Sequence, residues 1–410
     1  MRIYISGIMG TGMGPLALMA KDAGLDVCGS DLAKGAIFDE LMDAGIELSI
    51  GEQDGEFLKK VMKKGVDWFV YTSALPEDHA ELKLARQAGI RCTKRDELTA
   101  YLVEKLGLKM IAVAGTHGKT TTTAMIIYIA TRLGLPVAYI VGSTLKFAPS
   151  ARYRTGDKYF VYEADEYDRN FLKFHPWLAV IPSISYDHGD IYATEADYRE
   201  AFSQFMGQSG EVLMDGVRGS EIRLAGAARR HDAGLAVEAV MKILAQEGAY
   251  DFAEKKVVEV VNEFPGVGRR FERIADGVYT DYAHHPEEIE ATVDVALDEC
   301  RMTGKKGVIV VYQPHQNIRQ HEVRDGYKEA FLGAEKIFWL PTYLVREDPE
   351  LTVLTPEELI QGLVNREKAE AVKMDDGLAE RLKGYIEGGY LVVLMTAGPA
   401  DGWLREWFGD

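Results

Sequence analysis

Apolar runs of roughly four to eight residues alternate along the chain with stretches whose apolar residues recur at helical spacing. A short apolar run bounded by Gly, Pro or Asp reads as a buried strand. Strands alternating with helices read as parallel sheets with helices packed on them. "RIYISGI" leads into a Gly-rich turn and the helical "PLALMAKDAG"; "DVCGSD", another helix and "DWFVYTSA" follow, forming a small doubly wound series that ends near residue 105. A second series begins at "KMIAVAG" and runs through "PVAYIVGS", "YFVYEADE" and "LAVIPSIS" to "NEFPG" near 265. A third starts at "GVGRRFERI" and contains "GVYTDYAHHP", "KGVIVVYQPH", "KIFWLPTY" and "YLVVLMTAGP". The pattern predicts an α/β protein of three domains, 1–105, 106–265 and 266–410.

Composition narrows the class. A chain of 410 residues, 47% of them hydrophobic, supports several cores. The net charge of −17, with no basic block, argues against nucleic acid or an anionic membrane as partner. Cys28, Cys92 and Cys300 are far apart and odd in number, which speaks against a disulfide framework or a zinc site. No apolar run approaches the ~18 residues of a membrane span, and the start reads as a strand rather than a leader. The expectation is a cytoplasmic enzyme. Oligomeric state is left open.

The chemistry concentrates at "AVAGTHGKTTTTAMI", residues 112–126. The usual phosphate loop has four residues between its first Gly and Gly-Lys-Ser/Thr, whereas Gly115 stands only three positions before Gly118. The order strand, Gly, Lys, hydroxyl, helix is nevertheless intact. Gly115 and Gly118 let backbone N–H groups converge on an anion, and the helix N-terminus adds its dipole. Lys119 offers charge to terminal phosphates and Thr120 a hydroxyl to Mg²⁺. "KYFVYEADEYD" ends a strand in Glu163, Asp165, Glu166 and Asp168. Glu163 closes the apolar run, so it sits at the sheet edge facing the phosphate loop, suited to Mg²⁺. His188 follows the next strand of that sheet. In the first series, "SGIMGTGMG" with Asp31 about twenty residues on resembles a dinucleotide fingerprint, but Met9 occupies a required Gly position.

The shortened loop "GTHGKTTTT" resembles that of the Mur ligases, ATP-dependent amide-forming enzymes of peptidoglycan precursor synthesis. It looks most like the branch that loads L-alanine onto UDP-N-acetylmuramate and its relative that recycles murein tripeptide. "EADE", "DH" at 187–188, "GRRFE", "TDYAHHP" and "QPH" resemble family motifs in order, over nearly the whole chain. The resemblance implies a Rossmann-like UDP-binding domain, a central P-loop ATPase domain and a Rossmann-like C-terminal domain. It implies ATP at Gly115, Thr116, His117, Gly118, Lys119, Thr120, Thr121, Arg270 and Asp281, with Arg270 near the phosphates and Asp281 on ribose. It implies Mg²⁺ at Thr120 and Glu163 and a second ion at His188, so that Lys119, Glu163, His188 and Arg270 carry catalysis. It implies UDP-N-acetylmuramate at Gly10, Thr11, Gly12, Met13, Asp31 and Ser73. It implies L-alanine at His315 and Arg319, with Gln316 where another Arg is usual.

One motif departs. The family's "LAGxHNxxNA", whose asparagines help hold adenine, reads here "LAGAARRHDAG", with Ala228, Arg229 and Asp232 at the His and Asn positions. The preceding stretch is also short, as though a small strand-rich portion were missing. The expected function is ligation of L-alanine to UDP-N-acetylmuramate through an acyl phosphate. The rivals are the tripeptide-recycling ligase and a non-catalytic nucleotide-binding relative. An oxidoreductase using the first domain would leave the phosphate loop unexplained.

Overall fold

The computed structural model describes residues 1–409 except 73, 188, 190, 217–220, 250–253 and 346. Three sheets follow one another along the chain. The first is five-stranded and parallel, in the order Glu47–Ile50, Asp26–Asp31, Arg2–Ser6, Trp68–Tyr71, Arg91–Lys94. Its strand order reverses at Arg2–Ser6, the doubly wound arrangement whose carboxyl edge opens a crevice for ligands. Ile3, Tyr4 and Ile5 are all fully buried. Helices cover both faces, which is why the strand reads as a continuous apolar run rather than an alternating one.

The second sheet runs Glu211–Leu213, Leu178–Val180, Lys109–Val113, Tyr159–Glu163, Val137–Ile140, Ala151–Arg152. All pairings are parallel except the last. Lys109–Val113 feeds the phosphate loop and Tyr159–Glu163 lies directly beside it, with Val113 opposite Glu163. The two strand ends that carry the motifs are therefore adjacent.

These two sheets form one compact unit, residues 1–218 with 232–264. The division expected at 105 lies inside this unit, and hydrophobic contacts bridge it. Leu98 and Leu102, on the helix Arg95–Leu106, share one buried cluster with Trp68 and Val70 of the first sheet and Met110, Ala112 and Phe160 of the second. Burying that shared apolar face packs the two sheets together as one unit.

The second unit comprises residues 219–231 and 265–410. Its sheet runs Glu272–Ala275, Val278–Asp281, Leu391–Thr396, Val308–Gln313, Ala334–Trp339, Ala369–Ala371, parallel but for the first, edge strand. Val308 and Val310 pack into one cluster and Ile309 and Val311 into another, so helices cover both faces here too.

Candidate functional site

The phosphate loop leaves its strand at Gly115 and enters the helix Lys119–Arg132 at Gly118, both at positive φ (152° and 82°). It is pinned to the segment after Leu178–Val180. Thr116 N–H donates to Ser183 O (3.1 Å), and the Thr116 hydroxyl donates to Ser185 O (2.6 Å). His117 N–H donates to Ser183 Oγ (2.9 Å). A Cβ at Gly118 would lie 2.6 Å from Asp232 Oδ1 and 2.9 Å from Pro182 Cβ. Gly118→Ala therefore combines left-handed backbone strain with a steric clash, and should abolish detectable nucleotide binding in a calorimetric titration. Wild-type affinity in that variant would mean the loop does not form the anion site.

Lys119 is clamped on the loop. Its Nζ donates to Gly115 O (2.5 Å) and Thr116 O (3.2 Å) and pairs with Glu166, 2.9 Å from Oε2 and 3.0 Å from Oε1. Burial by itself would pull the ammonium pKa down, but the charge and hydrogen bond of Glu166 outweigh it, and the pKa is raised. Lys119 stays a cation. Thr120, nine-tenths buried, donates its hydroxyl to Glu163 Oε1 (2.8 Å). Glu163 Oε2 is buried without a hydrogen-bond partner. A carboxylate with one oxygen held by a loop hydroxyl and the other orphaned is a fit for a hard divalent cation. Among the described residues no group of three or more His, Cys, Asp or Glu side chains is placed to hold a metal. His188 and Ser73 lie outside the described residues. Thr121 is half-buried in the helix's first turn.

A cavity of about 210 Å³ opens in front of these groups, lined by Thr11, Gly12, Arg95, Lys119, Tyr162, Glu163 and Asp165 among others. The Gly-rich turn of the first sheet and the phosphate loop of the second thus face one space. Gly10 N–H donates to Gly7 O (3.1 Å), tightening the turn, and Thr11 is exposed. Asp31 is turned toward the turn itself: Met9 N–H donates to Oδ2 and Leu32 N–H to Oδ1, each at 2.8 Å. Met13 differs from its expected role. Its side chain is buried in the core and its N–H is given to Gly10 O (2.9 Å), so it packs rather than faces a ligand.

Arg95 does not stand out in the sequence, and Glu166 appears there only as one of four acidic residues. Arg95 opens a helix and its guanidinium fills the space a Cβ at Gly12 would take, 3.6 Å from Asp165 Oδ2. Neither its spacing nor its neighbours in "TKRDELT" distinguish it from a surface arginine. Glu166 lies in the acidic cluster, and only the three-dimensional pairing with Lys119 separates it from Asp168.

In the second unit, "GRRFE" is a strained turn: Arg269 and Phe271 have positive φ (57° and 46°). Arg270 reaches toward Glu288 (4.0 Å) and the Tyr282 ring. Asp281 is buried, with Oδ2 accepting from Phe271 N–H (2.6 Å) and Oδ1 from Ala283 N–H (2.8 Å). It organises the motif that was expected to place it on ribose. His315 lies 5.9 Å, ring to ring, from His284, whose Nδ1 faces Tyr282 O (3.0 Å) and Glu288 (3.2 Å). Burial lowers the His284 pKa against the pull of Glu288, and Arg319, half-buried nearby, lowers it further. Glu288 takes the backbone N–H groups of the adjacent His284 and His285 (3.0 and 3.3 Å) in a helix cap. In the altered motif, Arg229 faces the Phe271 ring in this unit, whereas Asp232 abuts the phosphate loop in the first.

Residues 2–105 match the model of the Mur ligase family catalytic domain, and 113–214 that of the Mur ligase middle domain. A UDP-N-acetylmuramate–L-alanine ligase of Kineococcus radiotolerans is 31% identical over 85% of this chain and 83% of its own. The chain belongs to the Mur ligase family. The corresponding enzyme of Chlorobium chlorochromatii is 29% identical over 97% of this chain and 94% of its own. In fold, this Mur ligase resembles UDP-N-acetylmuramate–alanine ligase from Thermotoga maritima (TM-score 0.74, 22% identity, 99% and 98% of the two chains). It also resembles a murein peptide ligase from Psychrobacter arcticus (TM-score 0.60, 21% identity, 99% and 98%). Among the described residues no helix of the Mur ligase is long and apolar enough to cross a membrane.

Proposed function

We propose that this protein joins L-alanine to UDP-N-acetylmuramate at the expense of ATP, in the cytoplasm, as a step of peptidoglycan precursor synthesis. The observation that carries the reading is the single cavity shared by the Gly-rich turn at Thr11 and Gly12 and the phosphate-loop groups Lys119 and Glu163. It brings the Gly-rich turn and the phosphate loop to one space, which supports a sugar nucleotide meeting ATP there. On this reading residues 1–105 bind the UDP-sugar, 106–265 bind ATP and 266–410 bind the amino acid and part of ATP.

The substrate carboxylate attacks the γ-phosphate, releasing ADP and leaving an acyl phosphate. The amino group of alanine then displaces phosphate and forms the amide. Lys119 and the N–H groups at the start of the helix, residues 118–121, hold the phosphates, and Arg270 adds charge as negative charge spreads over the transferred group. Thr120 and Glu163, with His188, would hold Mg²⁺, which supplies charge neutralisation to the phosphates when bound. The remainder of catalysis is positioning.

Incubation with UDP-N-acetylmuramate, ATP, Mg²⁺ and L-alanine, L-serine, glycine or murein tripeptide, read by mass, tests the reading. An alanine adduct with stoichiometric ADP is expected; efficient tripeptide ligation without alanine ligation overturns it. His315 and Arg319 are proposed to face the amino acid. A small amino acid has only its carboxylate and amine to be held by, and a guanidinium fork suits the carboxylate. Arg319→Ala should raise the KM for alanine by roughly 10- to 100-fold while scarcely changing that for UDP-N-acetylmuramate. Unaltered alanine kinetics would remove Arg319 from the acceptor site.

A further inference from the structure

A buried carboxylate that the chemistry above does not use lies beneath the carboxyl edge of the first sheet. Glu81 is 1% exposed, and no cation pairs with it among the described contacts. Its Oε1 accepts from the Tyr4 hydroxyl (2.5 Å) and its Oε2 from the Ser6 and Ser30 hydroxyls (2.7 and 2.8 Å). Burial, reinforced by the Glu81 charge, pushes the Tyr4 phenol well above its usual range, so that hydroxyl stays a donor. Both serines thus spend their hydrogens on Glu81 and present lone pairs to whatever lies above them.

Gln53 lies above them. It comes from the loop beyond the edge strand Glu47–Ile50, and its side chain crosses the carboxyl end of Asp26–Asp31 to reach that of Arg2–Ser6. Its Nε2 donates to Ser30 Oγ (2.8 Å) and Ser6 Oγ (3.2 Å) and lies 3.3 Å from Glu81 Oε2. Three oxygens with only lone pairs to offer admit only the NH₂ end of an amide. A flipped amide would set its carbonyl against two lone pairs and a carboxylate. The network therefore fixes the Gln53 carbonyl, Oε1, away from the sheet, at the strand-order reversal where α/β sheets bind ligands. A half-buried amide locked this way presents one acceptor and no donor.

We propose that Gln53 reads the nucleobase of the UDP-sugar, its Oε1 accepting the N3–H of uracil. The proposal rests on the UDP-sugar reading given above. Uracil carries its imide N–H between two carbonyls and satisfies a lone acceptor; cytosine has a lone pair at N3 and opposes it. Gln53 is thereby a specificity-determining residue, and Glu81, Ser6 and Ser30 are positioning residues that act through it.

Titration calorimetry of the full chain with UDP, CDP, N3-methyl-UDP and 2′-deoxy-UDP tests this without turnover. Wild type should bind UDP about ten- to a hundredfold more tightly than CDP or N3-methyl-UDP, the usual cost of leaving a half-buried acceptor unmatched. It should bind 2′-deoxy-UDP nearly as well as UDP. The near-isosteric Gln53→Met variant should lose most of both preferences. The N3-methyl comparison in wild type stands even where the variant folds poorly. Wild type that accepts N3-methyl-UDP as readily as UDP overturns the inference. So does Gln53→Met that keeps the wild-type ratios, or wild type that rejects 2′-deoxy-UDP with that preference lost in Gln53→Met, which would put Gln53 on the ribose. Wild type that binds neither UDP nor UDP-N-acetylmuramate overturns the UDP-sugar reading itself, a distinct result.

Discussion

Lys119→Ala should lower turnover by at least about 10²–10³, the typical loss on removing one electrostatic stabiliser aimed at the developing charge. The ammonium stays charged because Glu166 outweighs burial, so it is available as a cation at neutral pH. Its position as the first residue of the helix, directly after Gly118, brings it to the cavity wall. Sequence alone would expect unchanged thermal unfolding, because the residue is on a loop. The structure alters that expectation. The substitution removes the Lys119 ammonium from beside Glu166, which is 1% exposed. Breaking a buried pair from one side costs up to about 3–5 kcal/mol. Lys119→Ala should therefore also unfold at lower temperature, and adding Glu166→Gln should restore much of that stability without restoring turnover. ADP release measured alongside thermal unfolding separates the two effects. Product formation near the wild-type rate in Lys119→Ala removes the phosphate-loop assignment.

Glu163→Gln should raise the Mg²⁺ concentration needed for half-maximal activity by roughly tenfold or more, with little change in shape. The glutamine can still accept from Thr120 through its carbonyl, so the strand end stays in place. What disappears is the charge behind the buried, unpartnered Oε2. An amide oxygen is a weaker ligand for a hard dication than a carboxylate, and the amide's other end has only hydrogens to offer. A Mg²⁺ titration of ADP release at saturating ATP reads this directly. The same Mg²⁺ dependence in wild type and variant would exclude Glu163 as a ligand.

Much of this was legible along the chain because it is local. The strand Lys109–Val113, the glycines at 115 and 118 and the helix beginning at Lys119 are fixed by an apolar run, two backbone positions that only glycine tolerates, and helical periodicity. Glu163 was legible for the same reason: it ends an apolar strand, and in a parallel sheet the strand ends collect on one edge. That Thr120 and Glu163 touch follows from the neighbouring pairing of their two strands.

What the tertiary structure decided is how each polar group is used once other elements pack against it. The sequence cannot distinguish Glu166 from Asp168. The fold buries one against Lys119 and gives the other to Lys94, which is partly exposed. Asp31 and Asp281 look like ligand-facing carboxylates in sequence, yet both are committed to backbone N–H groups that shape their turns. Met13 looks like part of a ligand turn, but helix periodicity turns it into the core. Arg95 and Gln53 come from segments with no motif and are made significant by residues tens of positions away. The physical reason is the same throughout. Periodicity and glycine placement act within a few residues and set elements. The partner of a buried charge or amide is set by whichever element closes over it, and that distance in sequence carries no pattern.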